Sequence, residues 1–257
     1  MQQRLFISLL VTSACLSWRT PSAVAAEHVI LAAPVRVVTS ADPAIFPESW
    51  RKTPISVSGE PLAETHFARV RAVLQRALKK YPPQVLRSHL EAVYVLQELR
   101  YSGVDTGGTN SRTCVYVKAG DPAAGFTDAH LEGVFHAEFS SILLRNEMRR
   151  FDGEAWEAIN PHGFRYLSNG VDAIKQRKAD TKLRAGLHEE GFLKQYSQSS
   201  LENDLNGFAT LLFAGDPKMW EIVDKYPKVK RKAALAIAFY QQLDPAFTEE
   251  YFRRLAK

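Results

Sequence analysis

The amino-acid sequence predicts an α+β protein in which a small sheet precedes a mainly helical C-terminal half. Two apolar runs, residues 92–96 and 113–117, have the β-branched and aromatic content that is typical of strands. From residue 127 onward, apolar side chains recur at helical spacing in several long segments. Strands that are followed along the chain by helices indicate the α+β class.

The first half of the main domain contains one predicted helix and the two predicted strands. Residues 64–80 place apolar side chains at helical spacing, and the prolines after Tyr81 end this helix. Residues 103–110 contain a Gly-Gly pair, which is typical of a turn. We expect this loop to lead the chain into the strand at residues 113–117.

The C-terminal half is predicted to be built from helices. Thr127 can cap a long helix that runs to about Met148, and Asp128 lies near its positive end. Residues 151–198 show no clear periodicity. Further helices are predicted at residues 199–213, 219–225, 230–243 and 248–255.

The N-terminus has the features of a secretory signal. Arg4 supplies a positive charge, residues 5–14 are apolar and uncharged, and small residues follow up to Ala26. The apolar stretch is too short to cross a bilayer as a helix. We therefore expect export to the periplasm or cell envelope, with cleavage after residue 25 or 26. The alternative is a lipobox at residues 11–15 in which Cys15 is acylated and anchors the chain.

The sequence divides into three segments on this basis. Residues 1–26 form the signal peptide, and residues 27–60 form an extended segment and linker in which repeated prolines exclude a long helix. Residues 61–257 form the main domain.

Composition argues against several classes of partner. Without Arg4 and Arg19, the chain has 33 − 2 = 31 basic residues against 28 acidic ones, a net charge of +3. The basic residues are scattered, whereas a nucleic-acid surface needs a continuous basic stripe. No nucleic-acid partner and no transmembrane span are therefore expected. Cys114 would be the lone cysteine of a cleaved chain, so no internal disulfide framework is expected.

One helical segment carries the functional question. Residues 135–144 read FHAEFSSILL and fall inside the helix that Thr127 is predicted to cap. Zincin peptidases place H-E-x-x-H on such a helix, so that two histidines four residues apart bind zinc and the glutamate activates the bound water. Aligned on Glu138, this chain has Ala137 and Ser141 at the two histidine positions.

Beyond this helix, the chain resembles a family of bacterial envelope proteins classed as zinc-binding metallopeptidases, whose core string runs roughly H-H-E-F-x-H-I-L. The resemblance covers most of residues 61–255 and implies a zincin-like fold. In chain order, the further strings that carry it are KKYP at 79–82, the Gly-Gly turn at 107–108, NPHGFRY at 160–166, GFL at 191–193 with Tyr196, ENDLNGFA at 202–209, and FYQQLDP at 239–245 with EYF at 250–252.

The departures from the family pattern concern the zinc site. The resemblance implies zinc ligands where Ala137 and Ser141 stand, and an acidic ligand from a later helix where Asn203 and Gly207 replace acids. Alanine and serine are not usual zinc ligands. The sequence thus predicts a metallopeptidase-like protein without a zinc cofactor, whose cleft binds a peptide or protein ligand.

A rearranged metal site is the alternative. It would use His136 together with Glu202 and Asp204, which lie on the later helix, and it would make the protein an active peptide hydrolase. Glu138 would then be the general base. Without catalysis, we expect Glu138 to be an acid held by Ser141, Arg145 or a backbone group.

Overall fold

A computed structural model describes residues 27–257, which form one mixed sheet and a larger set of helices. The predicted α+β class, with a sheet followed by a helical C-terminal half, is confirmed. The signal peptide and the lipid anchor at Cys15 lie outside the described residues and stay predictions.

The sheet has seven strands, and its main path runs in the order β1-β2-β4-β7-β6. β2, β4 and β7 pair in parallel, whereas β1 and β6 run antiparallel at the two edges, and β3 and β5 pair with β4. The strands are β1 (His28–Leu31), β2 (Arg36–Thr39), β3 (Ser58–Pro61), β4 (Ala92–Tyr101), β5 (Val104–Asp105), β6 (Gly108–Asn110) and β7 (Cys114–Lys118).

The segment predicted as an extended arm and linker takes part in this sheet. It contributes β1 and β2, and β3 crosses the predicted boundary at residue 60. Between them, residues 43–57 cover the sheet face that bears Leu96 and Tyr116, where Phe46 stacks on Tyr116. The opposite face, which bears Val93 and Val115, packs against the helices.

Within residues 27–257 the structure has ten α-helices, of which three have only five or six residues. The helix predicted to begin at Thr127 is confirmed, and the Thr127 hydroxyl accepts a hydrogen bond from the His130 backbone N–H. The helices are α1 (Phe67–Leu78), α2 (Pro83–His89), α3 (Asp128–Asn146), α4 (Gly153–Glu157), α5 (Gly170–Lys175), α6 (Ala185–Glu190), α7 (Leu201–Ala214), α8 (Pro217–Lys225), α9 (Pro227–Leu243) and α10 (Glu249–Leu255). α4, α5 and α6 lie within residues 151–198, where the apolar side chains show no helical periodicity.

The packing of α3 places the site. α3 packs along α7 on one side and against β6 and β7 on the other. Phe135 and Phe139 of α3 and Phe208 of α7 are fully buried in the shared core. None of the helices within residues 27–257 has the length and apolar content that crossing a bilayer requires.

Candidate functional site

A cleft of about 1140 Å³ opens between the edge strand β6 and the helices α3 and α7, and α5 also contributes to its lining. Glu138 of α3, Glu202 of α7 and Arg145 of α3 line it together with Asn110 of β6. The cleft therefore gathers two carboxyl groups, one guanidinium and an open strand edge.

Glu138 is held by a polar chain that starts at Arg145. Arg145 Nη2 donates to Asn110 Oδ1 at 2.8 Å, and its Nη1 donates to the Ser111 carbonyl at 3.0 Å. Because a guanidinium only donates, the Asn110 amide must turn its nitrogen toward Glu138. Asn110 Nδ2 accordingly donates to Glu138 Oε2 at 2.6 Å. The orientation of the Glu138 carboxyl group is thus set by β6.

The surroundings of Glu138 favour its protonated form. Burial in the cleft wall raises its pKa from 4.5 to about 7, and the charge of Glu202 acts in the same direction. The hydrogen bond from Asn110 and the charge of Arg145 oppose this rise. Glu138 can therefore accept or release a proton near neutral pH, as a general acid or base must.

The outer edge of β6 lines the cleft and carries backbone groups that do not pair with β7. Lys118 N donates to Gly107 O at 2.8 Å, and Ser111 N donates to Cys114 O at 2.9 Å. Since hydrogen-bonded pairs alternate in an antiparallel ladder, the backbone groups of Gly108 and Asn110 point away from β7. Thr106 Oγ1 donates to the Gly108 carbonyl at 2.8 Å. Among residues 27–257, this leaves the N–H and C=O of Asn110 available at the edge.

Gly108 allows β6 to lie directly on α3. A Cβ atom at this position would be 2.6 Å from Val134 Cγ1 and 2.9 Å from Glu138 Cγ. We expect Gly108→Ala to lower the free energy of unfolding by about 1–3 kcal/mol, because the added methyl overpacks the strand against the helix. Urea denaturation measures this loss. Gly107→Ala is the matched control, since its Cβ would meet nothing closer than 3.7 Å, and an equal loss in both variants would contradict the packing argument.

The positions that the family resemblance assigns to zinc ligands do not form a zinc site. Ala137 has no ligating atom, and Ser141 Oγ lies 2.7 Å from the Asn206 amide. With its oxygen toward Ser141, the Asn206 amide places its nitrogen within 3.1–3.2 Å of three oxygens, among them Ala137 O and Glu202 O. At the acid positions of the later helix, Gly207 has no side chain and Asn203 Nδ2 donates to Ser199 Oγ at 2.8 Å. Alanine, serine, asparagine and glycine do not supply the His, Cys or carboxylate ligands that zinc requires.

His136, the first ligand of the rearranged site, lies in the core and not in the cleft. Its side chain is fully buried, and its Nδ1 is 2.8 Å from Tyr81 OH. Its Nε2 is 3.7 Å from Glu132, a residue held by Lys80 at 2.6 Å. Burial lowers the pKa of His136 to about 4, so the ring is neutral at physiological pH.

Asp204 also lies away from the cleft. Its Oδ2 accepts hydrogen bonds from Lys232 Nζ at 2.5 Å, Tyr166 OH at 2.9 Å and Trp156 Nε1 at 3.0 Å. Glu202 lines the cleft, so the structure does not bring His136, Glu202 and Asp204 together. Within residues 27–257, three or more His, Cys, Asp or Glu side chains converge nowhere in a metal-binding arrangement.

Asn110 is the site residue that sequence analysis missed. It lies 28 positions from Glu138 along the chain, and the predicted loop over residues 103–110 gave it no role. Its position next to the second strand was the available signal, because a polar residue at a sheet edge can reach a neighbouring helix. Arg145 was anticipated as a partner of Glu138; it donates to Asn110 and acts on Glu138 directly only through its charge.

Comparisons with known proteins identify one structural similarity. No protein-family model and no curated protein matches the chain. Among solved structures, the chain is similar to a "putative zinc-binding metallo-peptidase" from Bacteroides caccae, with a TM-score of 0.47 and 13% identity over 73% of this chain and 75% of the other. A similarity of this size does not assign the chain to a family.

Proposed function

We propose that this protein is an exported envelope protein, related to zinc metallopeptidases, that binds an extended peptide segment in the cleft without a zinc centre. The observation that carries the proposal is the composition of the cleft. It keeps Glu138 and an open strand edge. Ala137, Ser141, Asn203 and Gly207 stand where the family resemblance implies zinc ligands or acids. The relation to metallopeptidases rests on the ordered sequence strings described above.

The edge of β6 supports an extended peptide as the ligand. A free strand edge can take up a peptide as an additional strand, and main-chain hydrogen bonds then supply affinity without a particular sequence. The outward N–H and C=O of Asn110 offer such a pair beside Glu138. A protonated Glu138 would donate a hydrogen bond to a peptide carbonyl, and an ionised one would accept from a peptide N–H.

Amide hydrogen exchange tests this proposal directly. We expect a pool of random-sequence decapeptides to slow exchange in residues 106–111, because a bound peptide covers the outer edge of β6. The other sheet edge, β1, is the internal control and should not change. Peptides that leave residues 106–111 unprotected, or that protect both edges equally, would contradict the proposal.

The N-terminal pattern supports the proposed location. Export is indicated by Arg4, the apolar residues 5–14 and the small residues up to Ala26. The exported chain is either cleaved after residue 25 or 26 or anchored through an acylated Cys15. Metabolic labelling with a fatty acid separates the two forms. Label that is lost in Cys15→Ser supports the anchor, and label that persists in this variant excludes it.

A second candidate function is peptide hydrolysis with Glu138 as the general base. The pKa of about 7 at Glu138, inside a cleft, is the observation that favours it. This function predicts cleavage of some fluorogenic peptide, with a loss of about 10²–10⁴-fold in Glu138→Gln. Asp128→Asn is the matched control and should retain activity, since Asp128 lies on the same helix but outside the cleft. A protein that cleaves nothing across a broad peptide library would exclude this candidate.

A further inference from the structure

A second polar part of the cleft lies apart from Glu138 and is formed by the turn that precedes α7. Lys194 and Ser197 both line the cleft from this segment, where residues Gln195–Gln198 form a 3₁₀ turn. Ser197 lies against Gly207 of α7, and a Cβ atom at Gly207 would be 3.0 Å from Ser197 Oγ. Gly207 therefore leaves the space that the Ser197 hydroxyl occupies.

Neither polar group is satisfied by the protein. Ser197 Oγ is buried and has no hydrogen-bond partner within residues 27–257. The half-buried Lys194 side chain makes no hydrogen bond or ion pair with any described residue, and Asp216 influences it only through its charge. Burial lowers the pKa of Lys194, and the charge of Asp216 opposes this shift. Unsatisfied groups of this kind are costly unless a ligand or water supplies the partner.

Three other lysines with little solvent exposure have carboxylate partners. Lys232 pairs with Asp204 at 2.5 Å, Lys80 pairs with Glu132 at 2.6 Å, and Lys118 pairs with Glu98 at 2.6 Å. Among the described residues, no hydrogen bond or ion pair joins Lys194 to the cleft carboxyl groups, since Glu138 is bound by Asn110 and Glu202 pairs with Arg145. Lys194 thus lines the cleft without a carboxylate paired to it among the described residues.

We propose that Lys194 and Ser197 form a subsite for a carboxylate of the bound ligand. The ammonium group would pair with one carboxylate oxygen, and the Ser197 hydroxyl would donate to the carboxylate from the adjoining turn. This inference rests on the proposed function and deepens it, since it makes the preferred ligand an extended peptide with a negative charge. The carboxylate is either the peptide C-terminus or an aspartate or glutamate side chain.

Paired peptides test the subsite. Each decapeptide of the random pool is made with a free C-terminal carboxylate and with a C-terminal amide, and a second set exchanges internal Glu for Gln. We expect loss of the relevant carboxylate to weaken binding to the wild-type protein about 10- to 100-fold, as for a charge-assisted hydrogen bond. If the C-terminal amide weakens binding, the bound carboxylate is the peptide C-terminus. If the exchange of Glu for Gln weakens binding, the bound carboxylate is a side chain.

The variants complete a double-mutant cycle. Lys194→Met should weaken binding of the carboxylate peptides by the same factor and leave the neutral peptides unchanged, and Ser197→Ala should do so to a smaller extent. Lys175→Met is the matched control, because Lys175 lines the same cleft but is exposed. Equal binding of charged and neutral peptides, with protection of residues 106–111 retained, would overturn the subsite alone. Absence of binding by every peptide would overturn the proposed function as well.

Discussion

Replacing Lys232 with methionine is expected to lower the free energy of unfolding by about 3–5 kcal/mol, the typical cost of leaving one partner of a buried ion pair alone. Lys232 and Asp204 are both fully buried, and the ammonium group also lies 4.1 Å from the centre of the Phe192 ring. Without Lys232, the charge of Asp204 has no counter-ion in the core. Urea denaturation followed by tryptophan fluorescence measures the loss.

Two further variants separate the ion pair from other effects of the substitution. Lys230→Met removes an exposed lysine from the same helix, α9, and should leave stability nearly unchanged. The double variant with Asp204→Asn should recover a large part of the loss, because asparagine still accepts hydrogen bonds from Trp156 and Tyr166. A Lys232→Met protein about as stable as the wild type would contradict the buried pair.

Glu138→Gln is expected to change how stability depends on pH. The pKa of Glu138 rises from 4.5 in the unfolded chain to about 7 in the fold. The folded state therefore binds more protons between these values, and stability falls as the pH rises from 4.5 through 7. Allowing for the partial exposure of Glu138, the wild-type protein should lose about 2 kcal/mol relative to Glu138→Gln between pH 4 and pH 8.

The difference between the two proteins is the informative quantity, because other titrating groups contribute equally to both. Glu202→Gln should reduce the pH-dependent difference, since the charge of Glu202 helps to raise the Glu138 pKa. A difference that stays constant from pH 4 to pH 8 would mean that Glu138 has an ordinary pKa. In that case Glu138 would not be a protonatable group of the cleft.

Local sequence patterns were sufficient to predict the framework of the fold. The cap at Thr127 and the apolar spacing after it placed α3 correctly, and the β-branched runs placed β4 and β7. The short helices α4, α5 and α6 were missed, because helices of five or six residues are too short to show a period. The entry of β1 and β2 into the sheet depends on long-range pairing, which no local pattern reports.

The candidate site was predictable only in part. Glu138 could be singled out because its position in the helix matches that of a catalytic glutamate, and Glu202 does lie in the same cleft. The partners of His136 and Asp204 could not be predicted, since Tyr81 and Lys232 lie 55 and 28 positions away and meet them only through tertiary packing. The same holds for the hydrogen bond between Asn110 and Glu138.

Zinc content is the most direct test of a cleft without a zinc centre. The purified protein is equilibrated with a small excess of zinc, freed of loose metal by dialysis and analysed by atomic spectrometry, beside the variant Glu202→Gln. The account predicts substoichiometric zinc that is the same in both proteins, because Ala137, Ser141, Asn203 and Gly207 supply no ligand set. About one zinc per chain that survives dialysis, and that is lost in Glu202→Gln, would contradict it.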